Sequence, residues 1–319
     1  MELSHIREAA DRIKQNIARV IVGKETVVDQ LLIALIASGH VLLEDVPGTG
    51  KTLLAKTLAA SLDCSMKRIQ FTPDLLPSDL SGIHFYNQRT NEFTFRQGPL
   101  FANVIVADEI NRATPRTQSS LLECMEERQV TVDGETMPLE QPFLVIATQN
   151  PVENQGTFPL PEAQLDRFLL KVKMGYPSTG EGLEIMRRFK ESSPLAQVAS
   201  VIRKSDVVAM QTNYSRVRVS EDLLRYMLQI VEATRTHDDI ALGVSPRGSQ
   251  ALLRAVQVQA LLQGREYVIP DDVKAMAAPV LAHRLLLRNA ARRAAGDAEQ
   301  LLARIVGGIA VPAEELQRS

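Results

Sequence analysis

Asp45-Val-Pro-Gly-Thr-Gly-Lys-Thr52 decides how the rest of the chain is read. It follows the short apolar run His40–Leu43 and precedes a helical pattern over Leu53–Leu62, giving a strand, a turn and a helix. Glycines at 48 and 50 let successive backbone N–H groups turn inward as an anion nest, and the helix start adds its positive dipole end. In that frame Lys51 reaches toward β- and γ-phosphates, and the Thr52 hydroxyl is placed to ligate Mg²⁺. The full pattern G-x-x-x-x-G-K-[ST] asks for glycine where Asp45 stands, so that carboxylate has to turn away from the phosphates.

Working outward, Val104-Ile-Val-Ala-Asp108-Glu109 is an apolar strand ending in two adjacent carboxylates, about 56 residues after the loop. In a phosphate-loop ATPase the first acid holds Mg²⁺ through water and the second polarises the attacking water. Adjacent strand residues point to opposite faces, which fits two different roles rather than two equivalent metal ligands. The run Phe143–Thr148 leads into Gln149-Asn150-Pro151, an amide at the carboxyl end of another strand, where ligands bind in open α/β sheets. Leu165-Asp-Arg-Phe168 places Arg167 just before the run Phe168–Met174. That arginine either pairs internally or projects into a neighbour's active site, and the second case needs an oligomer. Ser245-Pro-Arg247 opens a helix with proline at its favoured first position. A cation there is disfavoured by the dipole, so Arg247 is either a surface residue or faces an anionic partner such as nucleotide phosphate.

With Lys67–Phe71 as a further strand and Pro115–Glu127 as a helix, the alternation implies a parallel sheet covered on both faces. Upstream, residues 4–38 carry helical spacing broken at Ile21–Gly23. Past Tyr176-Pro177, helical patterns recur over 181–190, 204–213, 220–236, 246–263 and 270–285, with no strand evident. The chain therefore divides near Pro177–Ser178 into an α/β domain, 1–177 including the N-terminal helices, and an all-helical one, 178–319. Residues 191–200 are expected as a loop, and the tail from Arg288 as a helix with a frayed end.

The chain has 319 residues, 36 Lys+Arg against 38 Asp+Glu and a net charge of −2. Its ordinary globular composition argues against disorder, and the balance gives no global basic footprint of a nucleic-acid binder. Cys64 and Cys124 are far apart, which excludes a disulfide scaffold. The five histidines form no metal-binding spacing. A charged N-terminus and a longest apolar run of only Leu31–Ala37 give neither a signal peptide nor a membrane span, so a cytoplasmic protein is expected.

The ordered series of phosphate loop, VIVADE, ATQNP, QLDRF and a helical domain carrying SPR resembles the AAA+ ATPases. The stretches FTPDLLPSDLSG (71–82), DEINRATPRTQSSLLECMEE (108–127) and GTFPLPEAQLDRF (156–168) resemble the MoxR family in particular, and the likeness spans nearly the whole chain. It implies a phosphate-loop NTPase core with two β-hairpin insertions and a helical lid. Gly48–Thr52 then matches Walker A, flanked by Pro47 and Leu53 and including Thr49. Asp108 and Glu109 match Walker B, Asn150 sensor 1, Arg167 the arginine finger and Arg247 sensor 2. Arg112 falls on the implied subunit interface and is a candidate to act across it. Val22 and Gly23 are the expected adenine edge, whereas Lys24 is expected to be solvated. The hairpins are expected over His84–Tyr86 with Glu92–Phe95, and over Gln129–Val132 with Glu135–Met137 around Asp133-Gly134, a strong hairpin signal.

The same resemblance implies Mg-ATP hydrolysis in a ring, a hexamer, acting as a chaperone. Its partners would be a von Willebrand factor A domain protein and a client complex that it assembles, activates or supplies with a metal cofactor. The chelatase-type ATPase subunit is the alternative within the fold. A nucleic-acid motor and a low-turnover nucleotide switch are the alternatives from other functional classes. The charge balance, and hairpins without a basic stretch interleaved with aromatics, count against nucleic acid.

Overall fold

The computed structural model describes residues 1–44, 48–149, 156–190, 194–288 and 297–312. Helices α1 (Leu3–Ala18) and α2 (Glu25–Ile36) lead in, and α1 buries Ile6, Ile13 and Ile17 at helical spacing. The break between them ends at Gly23, with φ +66°, a backbone region where only glycine carries no steric cost. A Cβ there would collide with the Glu181 carboxylate.

The core continues with β1 (Val41–Glu44), α3 (Lys51–Ser61), β2 (Met66–Gln70) and α4 (Pro77–Ser81). The first hairpin is β3 (Gly82–Asn87) and β4 (Glu92–Gln97). Next come β5 (Val104–Asp108), α5 (Pro115–Glu127) and the second hairpin, β6 (Gln129–Val132) and β7 (Glu135–Pro138). At its turn Asp133 and Gly134 both have positive φ, as a two-residue hairpin loop requires. Strand β8 (Leu144–Gln149), the short α6 (Glu162–Leu165) and β9 (Leu170–Val172) complete the core.

The central sheet runs β2-β5-β8-β1-β9, with every pair parallel. Its apolar strands feed two cores. Val104 and Val106 of β5, with Leu144 and Ile146 of β8, pack toward the helices α1, α2 and α3. Ile105, Ala107, Val145 and Ala147 pack on the opposite side with Leu121 and Leu122 of α5. This two-sided burial is why those strands are continuously apolar in sequence. Register sets Gln70 beside Asp108, and Leu43 and Glu44 beside Thr148 and Gln149. The carboxyl ends of four strands therefore share one edge.

The lid contains α7 (Thr179–Phe189), α8 (Lys204–Asn213), α9 (Glu221–Thr236), β10 (Ile240–Leu242), α10 (Pro246–Leu262), α11 (Pro270–Leu281), β11 (Leu286–Leu287) and α12 (Asp297–Gly308). Ser178, Ser220 and Ser245 cap α7, α9 and α10 through their hydroxyls. Among the described residues of the lid the strands are β10 and β11, which pair antiparallel. At three and two residues they are too short to leave a hydrophobic period in the sequence. Buried residues of α1, α2 and α10 belong to one hydrophobic cluster with the sheet, so the N-terminal helices bridge core and lid.

Lys24 corrects one expectation. It is half-buried and engaged: its Nζ donates to the carbonyls of Met174, Gly175 and Tyr176 at 2.8, 3.2 and 3.3 Å, where the core passes into the lid. No helix among the described residues is long and apolar enough to cross a membrane.

Candidate functional site

Gly48, Gly50, Lys51, Thr52 and Leu53 line a cavity of about 340 Å³ at the carboxyl edge of the sheet. Gly48 and Gly50 have φ +84° and +91°, and a Cβ at either would meet nothing within 4 Å. Glycine is required there by backbone angle, which aims the amides while leaving the space in front open. Thr49 lies in the same turn. Asp45, Pro47 and Asn150 fall outside the described residues.

Asp108, buried at the end of β5, closes the opposite wall. Its Oδ1 accepts from the Thr148 hydroxyl at 3.2 Å, and its Oδ2 lies 3.5 Å from the Thr52 hydroxyl. Thr148 Oγ1 also accepts from the Glu109 amide at 2.9 Å, so one side chain of β8 fixes both acids. Glu109 has left the strand and sits at φ 56°, ψ 48°, a left-handed conformation uncommon for a non-glycine residue and associated with functional sites. Its direction is thus set by that turn and not by the strand alternation expected from sequence. Gln70 Nε2 donates to Glu109 Oε2 at 2.7 Å, and Arg112 Nε lies 3.2 Å from the same oxygen. The Arg112 side chain, expected at an interface, engages its own chain's acid in this state.

The residues present fit a magnesium-bound nucleotide. Thr52 and Asp108 present hard oxygen ligands across an open anion nest, the usual protein share for a cation otherwise held by phosphates and water. A cation is already favoured at this carboxylate, since Arg68 Nε donates to Asp108 Oδ2 at 2.5 Å. Among the described residues no three His, Cys, Asp or Glu side chains cluster as a stand-alone metal cage. Burial pushes the thiols of Cys64 and Cys124 up to about 11 and about 12, which removes both as nucleophiles.

Arg167 and Arg247 lie elsewhere. Arg167 Nε is 3.2 Å from Glu126 Oε2, and Arg247 Nη2 bonds Glu126 Oε1. Core and lid arginines thus converge on one carboxylate at the end of α5, lining a cleft that shares none of the described residues of the phosphate cavity. Val22 and Gly23 sit in the turn between α1 and α2. Gly23 lines a third cleft, with β9 and α11, and among the described residues neither reaches the phosphate cavity.

Arg68, Gln70, Thr148 and Glu126 are the functional candidates that the sequence reading missed. A signal existed for the first two, because a strand ending at Gln70 brings its last polar residues to the ligand edge of a parallel sheet. Glu126 had none, since its partners are 41 and 121 residues away (167 − 126 and 247 − 126).

Residues 40–170 match the ATPase family associated with various cellular activities (AAA), and residues 232–305 match the AAA lid domain. The chain is 51% identical over 300 residues to the uncharacterized protein YeaC of Bacillus subtilis, covering 94% of each. It is 42% identical to chaperone MoxR1 of Mycobacterium tuberculosis, covering 93% of this chain and 80% of that one. A crystal structure from Cytophaga hutchinsonii superposes with a TM-score of 0.91 at 40% identity, covering 98% of this chain and 97% of the other. Phosphate loop, acid pair and lid, found in one order and one geometry, make this chain a member of the MoxR family of AAA+ ATPases, and its reaction the hydrolysis of ATP.

Proposed function

We propose that this ATPase works as a chaperone in a closed ring, a hexamer, with each hydrolytic site completed by the next subunit. Its task is to assemble, activate or insert a metal cofactor into a partner protein complex, together with a protein carrying a von Willebrand factor A domain. One observation carries the shared-site reading: Arg167 and Arg247 line a cleft separate from their own subunit's phosphate cavity. A neighbour's nucleotide gives both an anion to meet in exchange for Glu126.

Within the site, Lys51 and the amides after Gly48 and Gly50 bind and orient the phosphates. Thr52 and Asp108 would hold Mg²⁺, which when bound neutralises charge on the transferring phosphate. Thr148 keeps Asp108 and the Glu109 amide in fixed relation. Glu109 takes the proton of the attacking water, and Asn150 orients that water. Arg167 then stabilises the developing charge from across the boundary, a contribution of about 10³–10⁵ in rate where such fingers act. A low-turnover switch is the second reading, favoured by the double hold of Gln70 and Arg112 on Glu109.

The test is ATPase rate against protein concentration for wild type and Arg167→Ala, with native mass measured alongside. The ring reading expects a rate per subunit that rises with association, and an Arg167→Ala variant that binds ATP without hydrolysing it. A rate that is flat with concentration and indifferent to Arg167 would sink the shared site and put the switch first.

A further inference from the structure

The cleft around Glu126 holds more positive charge than its two motif arginines explain. Among the described residues, Arg128, Arg167, Arg247, Arg254 and Arg284 line it with two carboxylates, Glu126 and Asp166, an excess of 5 − 2 = 3 charges. The carboxylates are already taken. Glu126 holds Arg167 and Arg247, and Asp166 Oδ1 accepts from Arg284 Nε at 2.7 Å. Among the described residues, Arg128 and Arg254 have no carboxylate partner. Arg128 donates to Gln141 Oε1 at 2.8 Å and to the Ser38 carbonyl at 2.5 Å. Arg254 makes one long bond to the Ala37 carbonyl at 3.5 Å, and its buried Nε has no hydrogen-bond partner.

We infer that this cleft is a binding site for a tetrahedral oxyanion of the phosphate class, held within one subunit by Arg128 and Arg254, and separate from the phosphate loop. Two guanidinium groups facing a shared space offer forked donors that match such an anion, and neutral or carbonyl partners leave their charge uncompensated. Burial and the neighbouring Arg254 charge push the Arg128 guanidinium below its ordinary range. Burial, together with Arg254 and Arg247, brings Arg284 down to about 10 despite Asp166. An anion between the arginines relieves that repulsion. His40, on the cleft wall, does not supply the counter-charge: both ring nitrogens are engaged, and burial with Arg128 keeps it neutral. The space is about 250 Å³, room for one oxyanion and several waters at about 30 Å³ each. Residues of α5, of the segment that leads into β9 and of α10 meet there, so occupancy ties the core to the lid and competes with Glu126 for the outer arginines. The site needs no ring, since Arg128 and Arg254 belong to one subunit, but it shares its cleft with Arg167 and Arg247, the arginines that the ring reading gives to a neighbour's nucleotide.

The experiment is calorimetric titration of inorganic phosphate into the full chain carrying Lys51→Ala, which disables the phosphate loop. One phosphate per subunit is expected, with Kd raised at least tenfold by Arg254→Gln or Arg128→Gln. Glu126→Gln, which removes the competing carboxylate, is expected to lower Kd, a direction that damaged folding does not produce. Phosphate binding that needs Lys51, or that ignores Arg128 and Arg254, overturns the proposal. Binding seen only with ATP, and only at concentrations where subunits associate, identifies the anion as a neighbour's nucleotide and overturns the single-subunit site.

Discussion

Gln70 and Glu109 meet across two adjacent parallel strands, the amide Nε2 of the first donating to the carboxylate Oε2 of the second at 2.7 Å. The register that pairs Gln70 with Asp108 brings a long polar side chain at the end of β2 within reach of the residue that follows β5. The Glu109 Oε2 atom is thus held by an amide donor and faces the Arg112 guanidinium, and these contacts have to open before that oxygen can meet a water.

Releasing Glu109 is therefore expected to speed basal hydrolysis. Gln70→Ala should raise kcat roughly threefold to tenfold, a fraction of the about 10²–10⁴ that a positioned base supplies. Glu109→Gln should lower kcat by about 10²-fold or more with ATP affinity retained. Steady-state phosphate release checks both. A fall in kcat for Gln70→Ala would show that the amide aims the base instead of restraining it.

Arg68 occupies the electrostatic place of a cation on Asp108. Arg68→Gln removes that competitor while half of the replaced side chain is solvent-exposed, so little packing is lost. The Mg²⁺ concentration for half-maximal ATPase is expected to fall several-fold in this variant, and chelation should abolish hydrolysis in both. A higher Mg²⁺ requirement would mean that Arg68 helps bind the nucleotide instead.

How much of this was legible depended on sequence distance. The phosphate loop, the acid pair and the Asp133-Gly134 hairpin are contiguous, so local chemistry identified them before any fold was known. Arg68 and Gln70 became visible only once β2 was placed beside β5, because the strand's alternating polar residues look like an ordinary solvated face. The left-handed turn at Glu109 is a backbone state that no side-chain pattern announces. Lys24 and Glu126 take their roles from segments about 150 and 121 residues away, joined by tertiary packing that no local pattern shows.

Histidine burial sets a pH limit on stability. His40 accepts from the Val145 amide at Nδ1 (3.0 Å), so its proton lies on Nε2, which donates to the Met125 carbonyl at 2.9 Å. Burial lowers its pKa to about 3, and burial holds His283 well below its ordinary value as well. From about pH 6.5 downward the unfolded chain binds protons that the folded chain refuses, so stability is full at neutral pH and falls with acidification toward pH 3. Each histidine contributes a slope of about 1.4 kcal/mol per pH unit. Urea unfolding should approach this slope between about pH 5.5 and 4.5 and show less of it near neutrality, and His40→Gln should remove one histidine's share of it. An unchanged slope would place the acid sensitivity elsewhere.

Lys24 offers the last test, because it fastens the passage from core to lid. Its three carbonyl acceptors are consecutive, which makes the ammonium a point clamp on Met174, Gly175 and Tyr176. A buried charged hydrogen bond is worth about 1.5–3 kcal/mol, but two of these three are exposed, so about 1 kcal/mol is the expected loss for Lys24→Met. In a chain of this size that corresponds to a fall in melting temperature of about 2 °C. The larger effect should be local: amide exchange at 174–176 is expected to accelerate while that of β5 and β8 stays unchanged. Because the clamp holds the segment through which a lid movement would pass, loosening it should also weaken the dependence of lid exchange on bound nucleotide. Exchange that rises equally across the sheet would instead mark Lys24 as a general packing residue.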